Sequence, residues 1–174
     1  MGPGPTAYRQ QHVEQCGCLR REMIATLLAV DPVDYVDTFI AVADDSTATV
    51  GTVPPSKPDN PSVASRTFEM ISEHPYRYTS GDVIFVVFAD RRGIPGEERT
   101  AARREFYSRG QPCLRSSDLA KRYGWGIHAD GAGRIALVGV ETAEYAEFVS
   151  GRNPRSGGEP VKVTKAMRSS RVPR

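Results

Sequence analysis

Two alternating runs, "GWGIHAD" at residues 124–130 and "GRIALVGV" at 133–140, meet at the turn "DGAG". A period of two on either side of a Gly-containing turn predicts an antiparallel hairpin, because successive strand side chains point to opposite faces. Along "YGWGIHADG", Tyr123, Trp125 and Ile127 fall on one face and Gly124, Gly126 and His128 on the other. Glycine in a strand marks the close approach of another backbone or of a ligand. The second face therefore lacks side-chain cover beside His128, and the pattern permits a shallow concavity next to the imidazole. A hairpin with a bulge at Gly126 and a satisfied histidine explains the same residues without a site.

The flanking segments supply helices. Apolar residues recur at helical spacing from Tyr8 to Val30 (Val13, Cys16, Met23, Leu27), which predicts an extra N-terminal helix after a Gly/Pro-rich, disordered start. "VDYVDTFIAVADD" favours a strand, and residues 46–62, with four Pro, read as a long loop that is either functional or mobile. Ser62 caps a helix over "VASRTFEMISEH" that Pro75 ends. "GDVIFVVFADRRG" is β-branched and aromatic, yet Ser80 as cap, Asp82 early, Arg91 and Arg92 late and Gly93 at the end favour a helix. Residues 95–110 read as a further helix, "QPCLRSS" as extended, "DLAKRY" as one helical turn after a Ser cap, "ETAEYAEFV" as a short helix, and "PVKVTKAM" as an edge strand with Pro160 at its start. The fold class is α+β: a small curved antiparallel sheet packed by helices over residues 31–168, after an N-terminal extension (1–30) and before a basic tail (169–174).

At 174 residues one domain with its own core is expected. No apolar run reaches the roughly 18 residues of a transmembrane helix, and the mean hydropathy is −0.42. No basic stretch leads into an apolar one at the start, so a cytoplasmic location is expected, and Met23 is an alternative start. The odd set Cys16, Cys18 and Cys113 makes no disulfide framework. Net charge is +2 but uneven: residues 1–60 carry −4 and residues 61–174 carry +6. No nucleotide fingerprint occurs. His12, Cys16 and Cys18 lack both the spacing and the further pair of a zinc site, and Glu69, Glu73 and His74 read as a wet helix face. No metal and no cofactor are expected.

The candidate site residues surround the hairpin. Cys113 and His128 lie on neighbouring extended segments and would form a nucleophile–base pair if brought within hydrogen-bond reach, although a small buried Cys after a turn is the commoner fate. Arg115, Lys121 and Arg122, with Arg109 and the hydroxyls of Ser116 and Ser117, would hold a phosphate or carboxylate; solvated surface charge is the plainer reading. The leading expectation is a binding module. Its groove, lined by Trp125, His128, Arg115 and Lys121, would take a small anionic ligand or an acidic segment of another protein. The alternatives are an enzyme using Cys113 and His128, and a nucleic-acid binder using the tail and the helix carrying Arg99, Arg103 and Arg104.

The segments "YVDTFIAVADD", "VPPSKPDNPSVASRTFEMI", "HPYRYTSGDVIFVVFADRRGIP", "FYSRGQPCLRSSDLAKRYGWGIH", "GRIALVGVETAEY" and "VKVTKAMRS" resemble an uncharacterised bacterial family, a domain of unknown function. The resemblance spans about residues 34–169 and departs over the first thirty or so. It implies a small, single-domain, cytosolic protein and carries no activity, cofactor or catalytic residue.

Overall fold

The computed structural model describes residues 31–57 and 60–170. The expected N-terminal helix and the end of the basic tail lie outside the described residues. The chain runs β1 (Thr38–Ala41), α1 (Val63–Glu73), α2 (Ser80–Arg92), α3 (Arg99–Tyr107), α4 (Asp118–Arg122), β2 (Trp125–Ala129), β3 (Ile135–Gly139), α5 (Ala143–Val149), β4 (Arg152–Asn153), β5 (Glu159–Pro160) and β6 (Lys162–Lys165). The class is α+β. The main sheet has the order β3–β2–β1–β6, and β4 with β5 forms a separate two-stranded ribbon.

Local chemistry sets most of these boundaries. The Ser62 hydroxyl accepts from the Ser65 amide at 3.0 Å and caps α1. Around α2, Thr79 and Asp82 form a reciprocal capping box, and Gly93 ends the helix at φ +63, a conformation glycine adopts without a Cβ penalty. The cap lies one residue before the expected Ser80. These end signals and burial of Val83, Phe85 and Val87 outweigh the β propensity of the run between them. "QPCLRSS" is extended only as far as Cys113; Leu114–Ser116 close a 3-10 turn, with the Ser116 hydroxyl donating to the Cys113 carbonyl at 2.7 Å.

The strands sort their side chains as a period of two requires. Ile40, Ile127, Ala129 and Ile135 face a core shared with α1, α2 and α4, through Ile71, Val83, Val87 and Leu119. Phe39, Ala41 and Val138 face a second core with Tyr145 and Phe148 of α5 and with Val161. Each large side chain buried this way stabilises the fold by about 1.5–3 kcal/mol.

The sheet departs from the expected all-antiparallel arrangement. β1 pairs antiparallel with β2, but β6 pairs parallel with β1, Thr38 opposite Lys162 through Ala41 opposite Lys165. An antiparallel neighbour is enforced by a short turn, and no turn joins β1 to β6. β6 takes the edge of β1 that β2 leaves unpaired.

Candidate functional site

The Gly126/His128 face of β2 is covered, not open. A Cβ placed on Gly126 would lie 2.4 Å from Phe39 Cζ and 2.9 Å from Tyr145 Cε2, so glycine here makes room for two aromatic rings of the core. His128 is 2% exposed and stacks on Phe148 with ring centroids 4.4 Å apart.

The edge of the imidazole nevertheless borders a cleft of about 390 Å³, lined among others by Asp37, Tyr76, His128, Asn153, Arg155 and Glu159. Its elements meet at the turn end of the hairpin. Tyr76 comes from the α1–α2 connection, and its hydroxyl shares a hydrogen bond of 2.8 Å with His128 Nδ1. Asn153 ends β4 and sets its amide nitrogen 3.4 Å from His128 Nε2. Arg155 lies in the 3-10 turn Pro154–Ser156, donates through Nη1 to the Tyr76 hydroxyl and pairs through Nε and Nη2 with the carboxylate of Glu144 on α5. Its guanidinium also stands 5.0 Å over the Tyr76 ring.

Two residues of this cleft hold unfavourable backbone. Among the described residues, Asp37 at φ +44 and Tyr76 at φ +58 are the non-glycine positions with positive φ. Such backbone costs about 1–3 kcal/mol per residue, clusters at functional sites, and persists only where the surroundings enforce it. Both are clamped. The Asp37 amide donates to the Asp130 carbonyl at 3.2 Å, while its own carbonyl accepts from Lys162 at 2.9 Å. The Tyr76 amide donates to the Ile135 carbonyl at 2.8 Å.

Burial, and then the nearby Arg155 charge, lower the His128 pKa, so the ring is neutral at pH 7. Burial raises the Tyr76 phenol, with Arg155 opposing it. The hydrogen bond from Arg155 holds Glu144 below the usual carboxylate range. Arg155 is therefore neutralised by its partner. The carboxylates of Asp37 and Glu159 have no ion-pair partner among the described residues, and they leave the cleft acidic.

The residues expected from the sequence do not gather here, His128 excepted. Cys113 and His128 are not brought together. The thiol lines a different, largely apolar cavity of about 580 Å³ with Ile84, Phe88, Phe106 and Leu114, while both ring nitrogens of His128 face Tyr76 and Asn153. Cys113 Sγ accepts from the Tyr35 hydroxyl at 3.1 Å, and burial with this neighbour pushes the Tyr35 phenol up to about 12. Trp125 points to the opposite face of the sheet from His128, packs on Phe68 and donates from Nε1 to the Thr52 carbonyl at 2.9 Å. The Pro-rich loop is thereby strapped over Trp125; the Gly51 amide also donates to Glu141 at 2.8 Å. Arg115 donates from Nε to the Lys165 carbonyl at 2.8 Å and ties its turn to the end of β6. Arg122 is exposed and 3.8 Å from Asp118 on the same helix, and Lys121 is its neighbour on α4. Of the basic helix, Arg99 pairs with Asp90 and Arg103 with Asp82.

Asp37, Tyr76, Glu144, Asn153 and Arg155 carried no motif. "NP" at Asn153 is a turn signal and announces the cap, but nothing adjacent to Tyr76 in the sequence points at His128. Among the described residues no group of three or more His, Cys, Asp or Glu is placed to hold a metal ion, and no helix is long and apolar enough to cross a membrane.

The model of a family of unknown function (DUF6157) matches residues 30–172. No curated protein and no solved structure matches the chain.

Proposed function

The chain belongs to DUF6157, a family of unknown function, and we propose that it is a binding module for a small polar ligand seated in the Tyr76–His128 cleft. One observation carries this reading: the two strained, clamped residues Asp37 and Tyr76 line one cleft, above a buried and neutral imidazole. Strain kept at both positions costs stability that the core has no use for, whereas a ligand site needs those side chains aimed.

The charge of the cleft revises the ligand class. An anion would meet the unpaired carboxylates of Asp37 and Glu159, and the nearest cation, Arg155, is already held by Glu144. A ligand with an ammonium or similar cationic group fits better. The anion-binding groove expected around Arg115, Lys121 and Arg122 has less support, since Arg115 is engaged in tying its turn to the end of β6 and Arg122 has the Asp118 carboxylate beside it. A nucleic-acid interface on α3 is weakened in the same way by the ion pairs of Arg99 and Arg103.

The Asp37→Gly variant tests the reading. Glycine adopts φ +44 readily, so the fold is expected to hold or gain up to about 1 kcal/mol. Binding of small amines, followed by amide chemical shifts of the cleft residues, is expected to be lost. An Asp37→Gly protein that binds amines as before, or amines that perturb residues elsewhere, would sink the proposal.

A further inference from the structure

We infer that Tyr76 is a dedicated hydrogen-bond donor to the ligand, so that the compound bound in the cleft carries a neutral acceptor oxygen, carbonyl or hydroxyl, beside its cationic group; this rests on the cleft being the ligand site. The arrangement is set at Asn153. Its Oδ1 accepts from the Arg155 amide at 3.0 Å as the cap of the 3-10 turn. With the oxygen so used, the amide nitrogen is the atom that faces His128 Nε2, at 3.4 Å. An amide NH₂ only donates, so Nε2 is the bare nitrogen of the ring. A neutral imidazole has one N–H, which therefore sits on Nδ1 and donates to the Tyr76 hydroxyl 2.8 Å away.

Arg155 donates to the same oxygen, since a guanidinium has no acceptor. Both acceptor positions of the phenol are then filled. Its own proton has no protein acceptor among the described residues and is left for whatever occupies the cleft. Two donors on one hydroxyl oxygen polarise its O–H bond and strengthen it as a donor. Burial keeps the phenol protonated at neutral pH. The other charged groups around it are Asp37, Asp130, Glu144 and Glu159, of which Glu144 is paired with Arg155 and Asp130 with Arg134. A ligand carboxylate at Tyr76 would add to this acidic set, so the acceptor is a neutral oxygen.

The opposite tautomer, with the proton on Nε2, would turn the Tyr76 proton inward and leave the cleft an acceptor. Nitrogen-15 spectra of the histidine side chains in the wild-type chain near pH 7.5 separate the two. A neutral His128 protonated on Nδ1 is expected; an Nε2–H signature overturns the inference. Binding is then read with two probes, glycinamide, which has an ammonium and a carbonyl, and ethylammonium, which has the ammonium alone. The wild type is expected to favour glycinamide by about three- to tenfold, the worth of one neutral hydrogen bond. Tyr76→Phe should abolish that preference, bringing the two affinities together, and its amide spectrum away from the cleft shows that the variant is folded. Equal affinities in the wild type, or a preference that survives Tyr76→Phe, overturn the donor role and leave the cleft standing as a site. If neither amine shifts the cleft resonances, the cleft reading itself has failed.

Discussion

Gly126→Ala distinguishes a packed glycine face from an open one. The added methyl would sit 2.4 Å from Phe39 Cζ and 2.9 Å from Tyr145 Cε2. Carbon atoms rest about 3.5–4 Å apart, so the Phe39 ring has to retreat by more than ~1 Å. It has nowhere to go. Phe39 is fully buried, stacked on Phe148 at 4.7 Å between centroids and edge-on to Tyr145 at 5.3 Å. Phe148 in turn holds the His128 ring. Overpacking of this kind costs about 1–3 kcal/mol, and the rigid surroundings place Gly126→Ala in the upper half of that range. For a chain of this size, about 2–3 kcal/mol lowers Tm by roughly 4–12 °C. Urea unfolding followed by Trp125 fluorescence, with calorimetry beside it, reads the loss. Trimming the partner ring should return part of it: in a double-mutant cycle, Phe39→Leu with Gly126→Ala is expected to be less destabilised than the two single losses added, by more than about 1 kcal/mol. An open face gives the opposite sign, because Ala in a strand is favoured over Gly by up to ~1 kcal/mol on backbone entropy alone. A neutral or stabilised Gly126→Ala, or strict additivity with Phe39→Leu, refutes the packing described above.

Trp125→Phe removes the indole donor that holds the Thr52 carbonyl, and is expected to cost about 1 kcal/mol while speeding limited proteolysis within residues 46–57; an unchanged cleavage rate would show that the loop is held by other contacts. For His128, burial and Arg155 depress the folded-state pKa below its ordinary value, so the unfolded chain binds a proton that the folded ring refuses. That contribution to stability is complete above about pH 6.5 and is lost as the pH falls from there through the folded-state pKa. Unfolding free energies at pH 7.5 and 5.5 should show the drop, reduced in His128→Gln; equal drops in both proteins would move the effect to other groups.

Much of the secondary structure was legible because it is written in neighbours. The capping box of α2, the glycine that ends it, the Ser caps of α1 and α4 and the alternation of the hairpin each involve residues a few positions apart. The site was legible only in part, because its members are far apart in sequence. His128 was singled out for the right face and the wrong surroundings. The glycines beside it suggested open space, whereas the sheet register sets Phe39 directly opposite His128, and the rings of Phe39 and Tyr145 fill the volume beside Gly126. Trp125 alternates with it and so lies on the other face, under the Pro-rich loop. Asp37, Tyr76 and the Asn153–Arg155 pair come from three segments with no shared motif.

By itself, then, the amino-acid sequence determined the α+β class, the hairpin, the helix ends and the two-sided patterning of the strands, since propensity, period and caps act over one to four residues. Tertiary structure alone decided that β6 runs parallel along β1, that Cys113 and His128 part into different cavities, and that a tyrosine, an asparagine and an arginine surround one imidazole. Those outcomes depend on which strand edges remain unpaired and on where buried polar atoms find partners, and both are settled only when the whole chain closes on its cores.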